Sequence, residues 1–250
     1  MRIYIFVDLD DTLFQTRRKA PPGTPLYPAA LDRQGAPLSF MTPKQRALAE
    51  LLLSRAYCIP TTARSYSAFR RTLLSFKGPA IIDFGGVILD DWGLQEPQWE
   101  GQMRPQLEQL KPQLQKFLGI LEETRLRRQL AVYTRLVSDF EMDLYLVTKQ
   151  QDPQSKELEI LYRELAPHFP HPDFYLHFND NNLAIVPRCL EKKRAVKYMI
   201  DYLRQRWGEE ILTIGFGDSR SDLGFMSCCD YALSPNNGQL MTLIREKFDV

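Results

Sequence analysis

The architecture of this chain can be worked out from one segment near its start, Arg2-Ile3-Tyr4-Ile5-Phe6-Val7-Asp8-Leu9-Asp10-Asp11-Thr12-Leu13. Its first half is rich in β-branched and aromatic residues, which is typical of a strand, and two aspartates and a threonine follow. Because the strand is apolar along its whole length, we predict that it is buried on both faces, as in a parallel α/β sheet. In such sheets ligands bind beyond the carboxyl ends of the strands, where Asp8 and Asp10 lie.

Two carboxylates buried at a strand end are costly unless something compensates their charge. Burying them without a partner would cost several kcal/mol or raise their pKa values, so a bound cation or a role in proton transfer is expected. The alternative interpretation is an acidic turn that merely ends the strand. Thr12 and the strand context favour a chemical role.

Length and composition are those of an ordinary globular protein. The 250 residues suffice for one large core or for a core domain with an insertion. A net charge of +1 gives no reason to expect a nucleic-acid partner. The four cysteines show no CxxC spacing, which favours reduced thiols. Because only about seven apolar residues precede Asp8, too few for a signal peptide or a membrane span, we expect a cytoplasmic protein without a membrane partner.

Strand and helix patterns alternate over the first part of the chain. The proline- and glycine-rich segment 15–41 predicts a long loop, and Thr42-Pro43 predicts the N-cap and start of a helix. Strands are predicted at 57–62 and 80–83, with a helix over 63–76 between them. This order favours right-handed crossovers and a parallel sheet with helices on both faces.

The pattern changes after Gly85-Gly86. A long helix over 103–130 and strands in hairpins, one of them with a turn at 179–182, predict a mainly antiparallel α+β unit. The parallel pattern returns at Lys192, with a helix and then a buried strand, 211–218, that ends in an acid. We therefore expect a Rossmann-like core formed by residues 1–85 and 188–250, with an inserted α+β cap at 86–187.

Side chains with complementary chemistry follow the ends of the core elements. They are Asp8 and Asp10, Thr62, Lys192, and Asp218 with Asp222. A parallel sheet would bring the strand ends to one edge. Carboxylates held there suit Mg²⁺, which prefers hard oxygen ligands. A hydroxyl and an ammonium group beside the metal are what a transferring phosphoryl group needs.

Four of these segments resemble, in order and spacing, the motifs of the haloacid dehalogenase superfamily of phosphohydrolases. They are Asp8-Leu9-Asp10-Asp11-Thr12, Thr62-Ala63-Arg64, a lysine before Ala195, and Gly217-Asp218-Ser219-Arg220-Ser221-Asp222. The insertion is similar to the large α/β cap of the sugar-phosphatase branch, that of sucrose-phosphate phosphatase and mannosyl-3-phosphoglycerate phosphatase. The stretch Leu183-Ala184-Ile185-Val186-Pro187 is also similar to that branch.

The resemblance implies a role for each motif residue. Asp8 would attack phosphorus to give an aspartyl-phosphate, and Asp10 would protonate the leaving oxygen and then activate water. Thr62 would bind the phosphoryl oxygens and Lys192 would neutralise charge on them. The implied Mg²⁺ site consists of Asp8, Asp10 through its carbonyl group, Asp218 as a direct ligand, and Asp222, which would support the metal through water or by holding its ligands. The implied substrate-binding residues are Thr12, Arg64 and Ser221.

Three positions depart from the family pattern. Ala63 stands where glycine is common, and Ser221 stands where asparagine is frequent. Lys192-Lys193 replaces a common Lys-Gly, so Lys193 is a rival for the catalytic position. Arg64 has its own alternative interpretation, as a surface ion-pair partner at the start of a helix.

The resulting expectation is a Mg²⁺-dependent phosphatase whose cap closes over a small phosphorylated metabolite, most simply a sugar phosphate. It would act as a monomer or homodimer. The alternatives are a phosphatase for another small metabolite and a catalytically weak binding or regulatory protein with the same fold. Dehalogenase and phosphonatase activities are disfavoured, because neither chemistry needs an acid at Asp10 to protonate an alcohol leaving group.

Overall fold

The structure is a computed structural model that describes residues 1–152, 154–179, 182–208 and 210–248. The chain divides into two compact units. Unit 1 is Met1–Glu96 with Glu191–Val250, and unit 2 is Pro97–Leu190. None of the described helices combines the length and the apolar character needed to cross a bilayer.

Unit 1 begins with β1 (Arg2–Val7), β2 (Gln15–Thr16), β3 (Tyr27–Leu31), β4 (Pro37–Met41), α1 (Pro43–Arg55), β5 (Tyr57–Pro60), α2 (Tyr66–Phe69), β6 (Ala80–Ile82) and β7 (Val87–Leu89). Unit 2 contains α3 (Pro97–Arg127), β8 (Val132–Asp139), β9 (Met142–Gln150), α4 (Glu157–Leu165), β10 (Phe174–Asn179) and β11 (Asn182–Pro187). Unit 1 resumes with α5 (Lys192–Trp207), β12 (Ile211–Phe216), α6 (Leu223–Met226), β13 (Tyr231–Leu233) and α7 (Gln239–Phe248).

The main sheet of unit 1 is parallel, in the order β13-β12-β1-β5, which confirms the predicted α/β fold class. Val7, the last residue of β1, pairs with Phe216 of β12 on one side and with Pro60 of β5 on the other. The three strands therefore end at one edge. The last four residues of β1, 4–7, are buried because the strand is central in this sheet.

The prediction of a loop over 15–41 was wrong, because β2, β4 and β3 form a three-stranded antiparallel sheet in that order. Prolines do not prevent it: Pro28 lies on the edge strand β3, and Pro37 is the first residue of β4, two positions where a strand tolerates proline. The helix after this sheet begins as predicted, since the Thr42 side chain accepts a hydrogen bond from the backbone of Gln45.

The predicted helix over 63–76 is also shorter than expected, because only Tyr66–Phe69 forms α2. The following backbone pairs with β3 instead. Leu31 N donates to Arg71 O at 2.9 Å, and Leu73 N donates to Ala29 O at 2.8 Å. Tertiary hydrogen bonding to a strand therefore overrides the helical propensity of this segment.

Strand β7 pairs antiparallel with β6. Residues 87–89, expected in the insertion that starts at 86, therefore belong to unit 1, and unit 2 starts at Pro97. Between β6 and β7 three consecutive residues have positive φ: Asp83 at 53°, Phe84 at 59° and Gly85 at 94°. This left-handed turn becomes important at the site below.

Unit 2 is an antiparallel sheet in the order β10-β11-β9-β8, with α3 and α4, as predicted for this part of the chain. Its own core joins Leu114, Leu121 and Leu161 of the helices to Phe174 and Ile185 of the strands. The predicted turn at 179–182 lies partly outside the described residues.

Candidate active site

The site forms where the carboxyl ends of β1 and β12 meet the start of α5. Asp8 continues the pairing of β1, since its backbone N donates to Phe216 O at 2.8 Å. Asp218 follows β12 by two residues, and Lys192 is the first residue of α5. The parallel order of the sheet thus brings together residues that are far apart in sequence.

Asp8, Asp222 and Lys192 make a buried ionic cluster. The Lys192 ammonium donates to Asp8 Oδ1 at 2.6 Å and to Asp222 Oδ1 at 2.8 Å. Thr12 Oγ1 lies 3.3 Å from Asp218 Oδ1 and 3.4 Å from Asp8 Oδ2, so its hydroxyl links the two aspartates. Lys193 is exposed, and the structure therefore places Lys192 at the site.

The carboxylates of this cluster suit a hard cation. One oxygen each from Asp8, Asp218 and Asp222 lies within 4.8 Å of the others, and all three residues are buried. Oxygen ligands of this kind are those that Mg²⁺ prefers. Because buried like charges repel strongly, a divalent cation among these oxygens would relieve the repulsion.

The pKa values report this crowding. Burial, reinforced by the Asp222 carboxylate, raises the pKa of Asp218 to about 6. Burial also raises the pKa of Asp8 well above its usual range, although Lys192 opposes the shift. Burial alone would lower the pKa of Lys192, but Asp222 and Asp8 raise it above its ordinary value, so the ammonium stays charged.

Asp10 does not place its side chain in the cluster. Both of its carboxylate oxygens accept hydrogen bonds from Arg64, from Nε and Nη2 at 2.7 Å each. Thr62 is buried, and its Oγ1 accepts a hydrogen bond from the backbone N of Arg64 at 3.1 Å. Ser221 is exposed and its hydroxyl lies 2.8 Å from that of Ser219.

The left-handed turn between β6 and β7 supports two parts of the site. Asp83 N donates to Arg64 O at 2.8 Å, and Phe84 N donates to Thr62 O at 3.2 Å. A Cβ at Gly85 would lie 2.7 Å from the backbone oxygen of Glu191, the residue that precedes Lys192. The turn therefore packs against the start of α5 as closely as only glycine allows.

The fold of the chain is similar to that of solved structures. A scan against protein-family models found no match, and a search of curated proteins found none. Sucrose-phosphatase from Synechocystis sp. PCC6803, solved with sucrose and phosphate, is 18% identical with a TM-score of 0.51, over 100% of this chain and 90% of that one. The C-terminal domain of C. albicans trehalose-6-phosphate phosphatase is 12% identical with a TM-score of 0.54, over 99% and 76%. The chain shares the fold of these two proteins.

Two contacts of the site were not predicted from the sequence. Ser219 donates to Asp222 Oδ2 from its backbone N at 3.1 Å and from its hydroxyl at 2.7 Å, and with Lys192 it lowers the pKa of Asp222. The position of Ser219 between Asp218 and Asp222 was the available signal. An ion pair of Arg64 was one of the two interpretations of the sequence, but its partner Asp10 had no signal there, because the pairing depends on side-chain conformation.

Proposed function

We propose that the chain is a Mg²⁺-dependent phosphatase that hydrolyses a small phosphate monoester of the sugar-phosphate class through an aspartyl-phosphate intermediate. The observation that carries the proposal is the buried contact of the Lys192 ammonium with Asp8 and Asp222, beside Asp218. The proposed nucleophile, the lysine and the candidate metal ligands lie at the edge of the sheet formed by the carboxyl ends of its strands, where α/β proteins bind their ligands. Phosphoryl transfer needs this combination of positioning and charge neutralisation.

Asp8 is the nucleophile in this proposal. Lys192 holds its Oδ1, while Oδ2, which lies 3.4 Å from Thr12 Oγ1, attacks phosphorus. The new Oδ2–P bond replaces the bond between phosphorus and the ester oxygen, and the alcohol leaves with a proton from Asp10. Asp10 then removes a proton from a water molecule, which attacks phosphorus and releases inorganic phosphate and the Asp8 carboxylate.

The remaining residues stabilise the phosphoryl group or hold the metal ion. Lys192 and the Thr62 hydroxyl stabilise the phosphoryl oxygens. Asp8, Asp218 and Asp222, with the Asp10 carbonyl group, would hold Mg²⁺, which neutralises phosphoryl charge when bound.

The substrate class is proposed from the two solved structures of the same fold. One is named for sucrose phosphate and the other for trehalose 6-phosphate. Both names denote phosphatases acting on sugar phosphates, so sugar phosphates are the first esters to test.

The test is phosphate release from a panel of sugar phosphates and other small phosphate esters, with Mg²⁺ or with EDTA. We expect Mg²⁺-dependent turnover that falls by roughly 1,000-fold or more in Asp8→Asn, as for other enzymes that lose a nucleophile. Lys192→Met should lose most activity, whereas the matched Lys193→Met should keep it, since Lys193 is exposed. Absence of Mg²⁺-dependent turnover across the panel would contradict the proposal and favour a binding protein.

A further inference from the structure

Arg64 makes a two-pronged ion pair with Asp10. Its Nε lies 2.7 Å from Asp10 Oδ2 and its Nη2 lies 2.7 Å from Asp10 Oδ1. This is the fork geometry in which a guanidinium fixes the plane of a carboxylate as well as its charge. The Arg64 side chain is 12% exposed and that of Asp10 is 49% exposed. Burial therefore restricts the Arg64 side chain, and its two hydrogen bonds fix the orientation of the more exposed Asp10 carboxylate.

Other contacts fix the guanidinium itself. Nη2 also donates to Ser39 Oγ at 3.3 Å, and Nη1 donates to Ala68 O at 3.4 Å. The Phe14 ring lies beneath the group, 4.9 Å from Cζ to the ring centroid. All three guanidinium nitrogens thus donate to protein oxygens, which leaves Arg64 poorly placed to bind a phosphoryl group.

The antiparallel sheet β2-β4-β3 helps to hold the Arg64 guanidinium in place. Ser39 lies in β4 and is buried. Phe14 directly precedes β2 and is fully buried. The sheet inserted after Asp10 therefore supplies part of the socket that holds Arg64.

We propose that Arg64 is a positioning residue, which orients the Asp10 carboxyl group for proton transfer and does not bind the substrate. The inference rests on the proposed function, since it assumes that Asp10 acts as acid and base. It assigns to Arg64 a different role from the substrate contact that the family resemblance implies.

The leaving group separates these two roles. An alkyl phosphate releases a poor leaving group that needs a proton from Asp10, whereas p-nitrophenyl phosphate releases a phenolate that does not. Both esters carry the same phosphoryl group. Hydrolysis of the aspartyl-phosphate, in which Asp10 acts as base, is the same step for both esters and affects kcat, whereas kcat/KM reports only the steps up to the first phosphoryl transfer. For kcat/KM, a residue that acts through Asp10 is therefore more important for the alkyl ester, and a residue that binds the phosphoryl group is equally important for both.

The experiment measures kcat and KM for a sugar phosphate and for p-nitrophenyl phosphate in wild type, Arg64→Met, Arg64→Lys, Asp10→Asn and the double variant Asp10→Asn/Arg64→Met. We expect Arg64→Met to lower kcat/KM for the sugar phosphate by about 30-fold and for the aryl ester by about threefold or less. Arg64→Lys should recover part of the loss, because a lysine supplies charge without the fork. Arg64→Met should cost little more in the Asp10→Asn background, since residues that act as a unit are not additive.

The control is Arg46→Met, which removes an exposed arginine paired with Glu50 and should change neither constant. Arg64→Lys carries the comparison if Arg64→Met does not fold. The inference is overturned if kcat/KM falls by the same factor for both esters, or if the loss is fully additive with Asp10→Asn. A wild type that turns over no ester would instead overturn the proposed function, and this inference with it.

Discussion

At the scale of single residues, Asp218 and Asp222 show how neighbours decide charge within one cluster. Both are buried. Burial would raise the pKa of Asp222, but Lys192 and the N–H and hydroxyl of Ser219 hold it below its usual range. Asp218 has the long bond from Thr12, and its pKa is raised to about 6 by burial and by Asp222. The ionised form of Asp218 is therefore unfavourable in the folded protein.

This charge predicts a gain of stability when Asp218 is neutralised in the metal-free protein. Between about pH 4, where the unfolded side chain titrates, and about pH 6, the folded protein binds more protons than the unfolded chain. Ionisation of Asp218 thus lowers the free energy of unfolding as pH rises through this window. In EDTA, Asp218→Asn should be more stable than wild type at pH 8, by up to about 3 kcal/mol, and equal to it below about pH 4.

Urea unfolding at pH 4, 6 and 8 measures the difference. Asp222→Asn is the matched control and should be less stable than wild type at pH 8, because it removes a partner of Lys192. An Asp218→Asn protein that is less stable than wild type at pH 8 would contradict the interpretation.

The candidate residues themselves could be predicted from sequence, because Asp8 and Asp218 lie within two residues of the ends of strongly apolar strands, and such strand ends meet at one edge. Their partners could not. The fork between Arg64 and Asp10 and the bonds from Ser219 to Asp222 depend on rotamers, and rotamers are set by residues such as Ser39 that are remote in sequence.

At the scale of elements, the left-handed turn Asp83–Gly85 and helix α5 form one supporting structure. The turn donates hydrogen bonds to the backbone of Thr62 and Arg64 and packs against Glu191. Two non-glycine residues with positive φ cost on the order of 1–3 kcal/mol each, a cost that persists where surrounding structure requires it.

Substitution of Gly85 should therefore displace Lys192 from its carboxylate partners. In Gly85→Ala the added methyl group would meet Glu191 O at 2.7 Å, so the start of α5 must move. We expect kcat to fall by about tenfold or more, because small misplacements of a catalytic group are costly. Phosphate release and thermal unfolding measure the effects on activity and stability.

Gly208→Ala is the matched control at the other end of α5. Gly208 also has positive φ, +55°, but nothing lies within 4 Å of the added Cβ. This variant should lose some stability and keep its kcat. Equal kcat values for the two variants would show that the contact with Glu191 does not position Lys192.

Element prediction failed where tertiary pairing replaced local preference. Segment 15–41 looked like a loop because of its prolines, yet the edge position of Pro28 and the first position of Pro37 leave the sheet intact. The residues after α2 were expected to be helical, but their backbone bonds to β3. Neither pairing partner is local, so periodicity alone could not show it.

At the scale of the whole molecule, the fold brings together residues distant in sequence. Asp8 and Lys192 are 184 positions apart, and unit 2 lies between them in the chain. The parallel order β12-β1-β5 sets one wall of the site, and the start of α5 sets another. Each unit buries its own apolar cluster. The charged residues of the candidate site all belong to unit 1.

Chemical trapping of a covalent intermediate decides whether this edge performs phosphoryl transfer. Asp10→Asn removes the proposed base for the second step, so the aspartyl-phosphate should accumulate when p-nitrophenyl phosphate, whose phenolate leaves without a proton from Asp10, is added with Mg²⁺. Borohydride reduces an acyl phosphate to an alcohol, and peptide mass spectrometry locates the altered residue. We predict reduction at Asp8 with Mg²⁺ and ester together, and none in EDTA. A wild-type enzyme that turns over the ester while Asp8 stays unmodified in the variant, or reduction at another residue, would contradict the mechanism.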